Sequence, residues 1–352
     1  MIVPAAELKS ALKKLSPVRT ETFQVSDDCV SAQDPDCWVV HSSPLTGLGD
    51  FNIGGKKFTQ VVNRMGGQID VLRDGNKLIL KSARARVELE VWDAKEVLSP
   101  SAPRKSFVFK SAPFKKALII AAASASPHKS ANFGDVVRIE TLGLGLEEDK
   151  PSGYRVIGTD SKVLTAVSVS EELPAEFHTL LNLEAAAIVQ LMDGDTFTVG
   201  ETGTAVYVAD GKTSVYASRP IKEYPNFRAA LALKPHTRFQ FLTEDWKSAL
   251  HTVEPLVDES VDGGIIQLIF KDNCVTIATI GIGSTAQDAA NYEQIDPDPV
   301  FDPKELTLRF NAKYLSGFLA KAGKTATLGL TDNPVRMESD GVVQITMPVE
   351  DK

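Results

Sequence analysis

A helix followed by three short strands recurs three times in this chain, at a spacing of roughly 130 residues, and no other feature constrains the fold as tightly. The first copy predicts a helix over 55–65 and strands over 68–73, 76–83 and 85–92, with the turn Asp74-Gly75 between the first two strands. The second predicts a helix over 182–192 and strands over 196–200, 205–208 and 213–219, turning at Asp210-Gly211. The third predicts a helix over 311–322 and strands over 325–330, 335–339 and 342–348, turning at Asp340-Gly341. Met65 and Met192 are 127 apart, and Gly211 and Gly341 are 130 apart. That period is too long for a solenoid unit and suits a whole domain.

Each unit also has an earlier helix. Leu8, Leu12 and Leu15, then Phe114 and Leu118, then Trp246, Leu250 and Val253 recur at helical spacing. Pro4 and Pro113 suit first turns, and Thr243 before Glu244-Asp245 is expected to cap the third such helix. Turn-punctuated strands follow each one, so every unit is helix, strands, helix, strands, with antiparallel alternation. The expected fold class is α+β, with three tandem domains at 1–110, 111–236 and 237–352.

A length of 352 residues, 43% hydrophobic and 24% charged, fits a soluble globular chain with a core in each domain. No apolar run reaches membrane-spanning length, and the first residues lack the pattern of a signal peptide. Three cysteines without paired spacing fit a reducing, cytoplasmic setting. A net charge of −8 argues against indiscriminate nucleic-acid binding. The charge is uneven, however. Lys9, Lys13, Lys14, Lys56, Lys57, Arg64, Lys115, Lys116, Lys247, His251, Lys313 and Lys321 lie on or beside helices, whereas acids gather in loops at 147–149, 258–259 and 296–302. Lysines solvate the outer face of many amphipathic helices, and the helix over 182–192 has none. Basic helices nonetheless recur in all three units.

No catalytic pattern emerges. Cys29, Cys37 and His41 have no zinc spacing and no local fourth ligand. Gly49 to Lys57 approaches a phosphate-binding loop but lacks its first glycine at Asp50 and its hydroxyl at Lys57. Gly143 and Gly145 lead into acids rather than a helix, and His128, His178 and His236 stand without an acid or nucleophile partner. No metal, no cofactor and no enzymatic activity are expected.

Four segments carry a family resemblance. The stretch from Gly153 to Val167, with Thr159-Asp160 at its centre, resembles the segment in which bacterial DNA polymerase sliding clamps (polymerase III beta subunits) carry T-D-G-H-R-L. Tyr224-Pro-Asn-Phe-Arg228 is similar to their F-P-D-Y-R, Arg84-Ala-Arg-Val-Glu-Leu89 to an R-S-R-F-S-L edge strand, and 343–349 to their closing Y-V-V-M-P-M. All four fall in the family's order. Ser161, Lys162 and Val163 replace the usual Gly-His-Arg, Ala230 stands where a larger aliphatic is common, Ser130 and Ala131 replace a tyrosine pair, and 34–49 matches nothing in the family. These departures fit a divergent member, such as one carried by a phage or mobile element.

The resemblance implies a homodimeric ring around duplex DNA, with sheets outside and helices lining the hole. It would tether a replicative polymerase and be placed on DNA by a clamp loader. It implies loose phosphate contacts from Lys9, Lys13, Arg19, Arg64, Lys115, Lys116, Lys247 and Lys321. It implies a dimer edge at Lys57, Arg84, Arg86, Val87 and Leu89, meeting the partner around Leu256. It also implies a partner-peptide pocket formed by Thr159, Lys162, Val163, Leu164, Pro225, Ala230, Ile345, Met347 and Val349. Two other readings stay open at this point: an interaction protein of clamp fold without a replicative role, and an enzyme whose site is assembled from distant residues.

Overall fold

The computed structural model describes residues 1–94, 103, 105–125, 135–142, 153–173, 176–220, 223–257, 264–271, 274–280, 286–291, 293–295, 306–331 and 334–348. The first repeat opens with Ile2–Pro4 (β1), Ala5–Leu15 (α1), Thr22–Val25 (β2), Cys29–Gln33 (β3), Cys37–Ser42 (β4) and Phe51–Gly54 (β5). It continues with Gly55–Arg64 (α2), Gln68–Asp74 (β6), Lys77–Ser82 (β7) and Ala85–Asp93 (β8). The second contains Lys105–Lys110 (β9), Ser111–Ala122 (α3), Val136–Leu142 (β10), Gly153–Thr159 (β11), Val163–Ser170 (β12) and His178–Asn182 (β13). Leu183–Leu191 (α4), Thr196–Glu201 (β14), Ala205–Ala209 (β15), Thr213–Ser218 (β16) and the short helix Phe227–Leu231 (α5) complete it. The third contains Thr237–Leu242 (β17), Thr243–Val253 (α6), Ile265–Lys271 (β18), Cys274–Thr279 (β19), Ala286–Asn291 (β20), Glu293–Ile295 (β21) and Leu306–Asn311 (β22). It closes with Ala312–Leu319 (α7), Thr325–Leu330 (β23), Val335–Ser339 (β24) and Val342–Thr346 (β25).

The helix-plus-three-strand units stand where the periodicity places them. Their hairpins turn at Gly75, Gly211 and Gly341, with φ of 57°, 88° and 77°. A side chain at these positions would strain the left-handed backbone, which explains the Asp-Gly pair in each copy. The helical apolar faces are buried: Leu8, Leu12 and Leu15 at 0% exposure, Phe114 and Leu118 likewise. Trp246 stacks on Phe241 with ring centroids 3.8 Å apart. Two further helix starts match between repeats, because the Asn182 and Asn311 side chains accept the backbone N–H groups of Ala185 and Lys313 at 2.7 and 3.0 Å.

Two expectations change. Thr243 is the first residue of α6 and Leu242 occupies the cap position, with no side-chain cap hydrogen bond. Strand β17 runs straight into the helix, which turns Thr243 into the core rather than toward the helix end. Each repeat also begins with a strand before its first helix. Strand β9, which a boundary at 110 leaves in the first domain, pairs with β14 of the second repeat from Lys105↔Glu201 to Lys110↔Thr196.

The chain divides into two compact units: residues 1–119, 139–152 and 171–221, and residues 120–138, 153–170 and 222–352. The first unit has a twelve-stranded sheet in the order β1-β6-β7-β8-β5-β2-β3-β4-β16-β15-β14-β9, so β4 of the first repeat pairs with β16 of the second. The second unit's main sheet runs β11-β12-β25-β24-β23-β17-β21, where β12 of the second repeat pairs with β25 of the third. A smaller sheet, β20-β19-β18-β22, completes that unit. The two junctions are built alike. Ser218 N–H donates to the Asp36 carbonyl at 2.9 Å in one, and Met347 N–H donates to the Lys162 carbonyl at 3.0 Å in the other. Sheet continuity leaves few unpaired strand edges at the repeat boundaries.

At the first junction Asp34 carries the turn. Its carboxylate accepts the N–H groups of Asp36 and Cys37 at 2.8 and 2.7 Å and that of Arg19 at 3.0 Å. Burial, then hydrogen bonding and charge from Asp34, raise the Glu184 carboxyl to about 7. A raised acid binds a proton on folding. Its folded-state penalty is therefore absent below about pH 4.5 and grows as the pH rises toward 7. Glu184→Gln removes the charge, so the variant should gain about 1 kcal/mol over the parent at pH 8, after discounting for solvent screening. No gain should appear at pH 4.5. Thermal melts at the two pH values check this, and an equal shift at both would contradict it.

Candidate functional site

Strand β12 follows a turn fixed by two side chains of the Thr159-Asp160 pair. Asp160 Oδ1 accepts the N–H groups of Lys162 and Val163 at 2.9 and 2.8 Å, while Asp160 Oδ2 accepts the Tyr314 hydroxyl at 2.7 Å. The Thr159 hydroxyl donates to the Val163 carbonyl at 2.7 Å and accepts the Ser161 N–H at 3.2 Å. Ser161 takes the left-handed conformation, φ 77°, where a glycine would be unstrained. Proximity to the Asp160 carboxylate and burial push the Tyr314 hydroxyl well above its ordinary range, burial being the larger cause.

The turn sets the register Val163↔Thr346 and Leu164↔Ile345. On one face of this sheet Ile157, Leu164, Ala166, Ile345 and Phe227 form a buried cluster, flanked by partly buried Tyr224, Ala230, Leu231 and Val343. Tyr224 donates its hydroxyl to the Ile157 carbonyl at 3.0 Å, and its ring meets that of Phe227 edge-on at 6.0 Å. Arg336 donates to the carbonyls of Leu231 and Leu233 at 2.6 and 3.4 Å, satisfying the end of α5. Leu164 and Ile345 therefore face Phe227, at 9% and 6% exposure, while Met347 remains 45% exposed beside them.

Of the predicted pocket residues the cluster joins Leu164 and Ile345 with half-buried Ala230, Thr159 pairs with Leu164 across the hairpin, and Lys162 meets Met347 through the backbone; Val163, opposite Thr346, lies on the other face of the sheet, Pro225 precedes α5 outside the cluster, and Val349 lies outside the described residues. Sequence reasoning missed Phe227, although it lies within the Tyr224–Arg228 motif, and missed Tyr314 and Arg336, which no local pattern marks. The accessible part of the surface is Met347 with half-exposed Tyr224, Pro225 and Ala230, bordered by exposed Lys162.

The other anticipated residues divide by environment. Lys13, Arg19, Arg64 and Lys116 are exposed, and Lys9 is half-exposed. Lys115 is half-buried; its ammonium donates to the Met192 carbonyl and lies 5.6 Å from the Phe197 ring centroid. Lys247 is bonded to Glu244 at 2.7 Å. Lys321 donates to the Ile120 carbonyl at 3.1 Å, and burial holds its ammonium below the usual range. Lys14 is buried in an ion pair with Asp193 at 2.8 Å. Lys57 and Leu256 are exposed, the latter at 57%. In β8, Val87 and Leu89 are half-buried opposite Leu80 and Leu78, and exposed Arg86 pairs with Glu88 at 2.9 Å beside exposed Arg84. Strand β5 pairs with β8 only through Val91–Asp93, so among the described residues Ala85–Glu90 has one ladder, with β7.

Cys29, Cys37 and His41 occupy neighbouring strands. Cys37 and His41 are buried, and His41 Nδ1 lies 2.9 Å from the Thr213 hydroxyl. Burial, with the Lys14 charge, lowers His41 to about 4. The acidic loops at 147–149, 258–259 and 296–302, the glycines at 143 and 145, Ser130, Ala131 and His128 lie outside the described residues. Among the described residues no helix is long and apolar enough to cross a membrane.

No family model matches the chain, and no curated protein sequence matches it. Solved structures do match over its whole length. The DNA polymerase III beta subunit of Thermotoga maritima superposes with a TM-score of 0.85 at 16% identity, covering 100% of this chain and 99% of the other. The beta subunit of Pseudomonas aeruginosa gives 0.83 at 13%, covering 99% of each, and the beta chain of Streptococcus pneumoniae gives 0.82 at 15%, also covering 99% of each. The chain has the sliding-clamp fold: α+β, with three tandem copies of the repeat.

Proposed function

We propose that the chain is a DNA sliding clamp: two protomers close head to tail around duplex DNA and tether a replicative polymerase to its template. The observation that carries this reading is the agreement of fold over the full length with three beta subunits, with none of the three repeats missing. The protomer has three domains, the first two divided just before β9 and the last two near 236, and acts in the cytoplasm as a scaffold without chemistry of its own. The dimer forms through the free stretch Ala85–Glu90 of β8, with Lys57, Arg84, Arg86, Val87 and Leu89, meeting the partner protomer around Leu256. A clamp loader opens and closes the ring.

Topological retention explains how an acidic protein works on DNA. The ring needs only replaceable phosphate contacts, and the negative remainder discourages binding elsewhere. Exposed Lys13, Arg19, Arg64 and Lys116 and half-exposed Lys9 supply such contacts in this reading. Lys115, Lys247 and Lys321 have protein partners and contribute less.

Loading onto nicked circular DNA by a clamp loader, with release when the circle is linearised, tests the proposal. Lys13→Ala, Arg64→Ala and Lys116→Ala should each reduce the slope of log K against log salt by about 0.9, without sequence preference. Nanomolar binding to a short linear duplex at physiological salt would overturn the reading.

A further inference from the structure

The two sheet junctions share one construction and differ in what they present. Asp34 accepts the N–H groups of Asp36 and Cys37 before β4, as Asp160 accepts those of Lys162 and Val163 before β12. The pair Trp38↔Tyr216 of the first junction therefore stands where Leu164↔Ile345 stands in the second. Leu164 and Ile345 are buried with Phe227. Trp38 and Tyr216 are instead half-exposed, and half-exposed Tyr207 continues the row on β15. Ring centroids lie 5.8 Å apart between Trp38 and Tyr216 and 5.0 Å apart between Tyr216 and Tyr207. Along the strands these rings alternate with Val39, Val215 and Val208, which face the core. Three adjacent strands thus hold one aromatic row on the solvent face of their sheet.

Ring geometry and charge narrow the ligand. Neighbouring rings are tilted by 39° and 52°, so they form ridges with notches between them. A proline ring fills such a notch, and proline holds its segment in an extended conformation before binding, which lowers the entropy cost. That conformation leaves its backbone carbonyls unpaired, and the aromatic edges carry two hydroxyls and an indole N–H as donors. A proline of the chain itself already meets this face. Gly200 lies opposite Tyr207, and Pro103 Cβ is 2.9 Å from where a side chain at Gly200 would start. At the edge of the row exposed Asp36 takes the place that Lys162 holds in the second junction, while the nearby Arg219 pairs with Glu201 at 3.7 Å. An acidic edge suits a basic flank. It opposes an oligonucleotide, which needs cations along its backbone.

We infer that the Trp38–Tyr216–Tyr207 row docks a proline-bearing, polyproline II segment of a partner protein, with an arginine of that segment facing Asp36. The inference goes beyond the proposed function and does not depend on it, because it rests on the aromatic row and not on the tethering of a polymerase.

A fluorescein-labelled peptide with an Arg-x-x-Pro-x-x-Pro core tests this on the full-length protein, beside versions with alanine for proline and glutamate for arginine, and beside oligo-dT. Anisotropy should show the parent peptide binding about tenfold tighter than the proline-free one, with the glutamate version also weakened. Trp38→Ala and Tyr207→Ala should each weaken the parent peptide about tenfold, with melting temperatures reporting that both variants are folded. Asp36→Arg should favour the glutamate version over the arginine one. In a Trp92→Phe protein the unlabelled peptide should shift tryptophan emission to the blue through Trp38, since Trp246 is fully buried. Binding should survive Met347→Asp. Loss with Met347→Asp but not with Trp38→Ala would place the peptide on the β12–β25 surface and overturn the inference. Binding of oligo-dT in preference to the peptides would also overturn it. If no ligand binds, the row serves only to stabilise the sheet, as cross-strand aromatic pairs do, and the inference falls.

Discussion

Met347→Asp is expected to abolish stimulation of the polymerase while leaving the dimer and the fold intact. Met347 is 45% exposed beside Leu164 and Ile345, and its contribution to β25 is a backbone N–H to the Lys162 carbonyl, which aspartate retains. A flexible thioether suits a surface that accepts different anchors. A carboxylate there would be desolvated by any apolar anchor at a cost of about 2 kcal/mol, roughly thirtyfold in affinity. Primer extension over long templates measures the effect, with light scattering as the control for assembly. Truncation before Ile345 would be a poorer probe, because Ile345 and Thr346 pair with both β12 and β24. Unchanged processivity with Met347→Asp would remove the surface from the mechanism.

Leu256→Asp is expected to convert the proposed dimer to monomer at micromolar concentration. Leu256 ends the 3-10 turn Glu254–Leu256 at 57% exposure, so the substitution leaves the protomer core untouched. In a head-to-tail dimer it acts at both interfaces. Loss of one buried leucine contact is worth about 2 kcal/mol, so two approach a thousandfold in the dimerisation constant. Light scattering should report the protomer mass, and retention on circular DNA should be lost with it. Leu89→Lys should act from the other side through β8, but Leu89 also packs opposite Leu78, so its melting temperature must be followed alongside. A dimer unaffected by Leu256→Asp would exclude this surface as the joint.

The repeat was legible because its signals are local. Helical spacing of apolar residues depends only on turn geometry. The Asp-Gly pairs at 74, 210 and 340 mark hairpins because glycine alone adopts positive φ without strain. These two signals place the second helix and last three strands of every repeat within a residue or two, apart from the C-terminal end of α7. The opening strands β1, β9 and β17 carry no comparable mark. No Asp-Gly turn bounds them, and what joins them to their sheets is pairing with β6, β14 and β23 many residues away.

Site residues divide on the same line. Motifs in the sequence located Thr159 to Leu164, the Tyr224 segment and Ile345 to Met347, while the register Leu164↔Ile345 that joins two of them belongs to the tertiary structure. Sequence could not tell Lys13 from Lys14, adjacent on one helix. One is exposed and the other is buried against Asp193, and Lys115 and Lys321 likewise reach backbone carbonyls of other segments. Nor could it place Glu184 against Asp34, 150 residues earlier, which holds that carboxyl near neutral pH. A side chain's periodic position follows from its own neighbours in sequence, whereas the environment of its charge depends on whichever distant segment packs against it. The sequence therefore determined the three repeats and their hairpins, and tertiary contact decided which of their cations face solvent and which apolar residues meet in one surface.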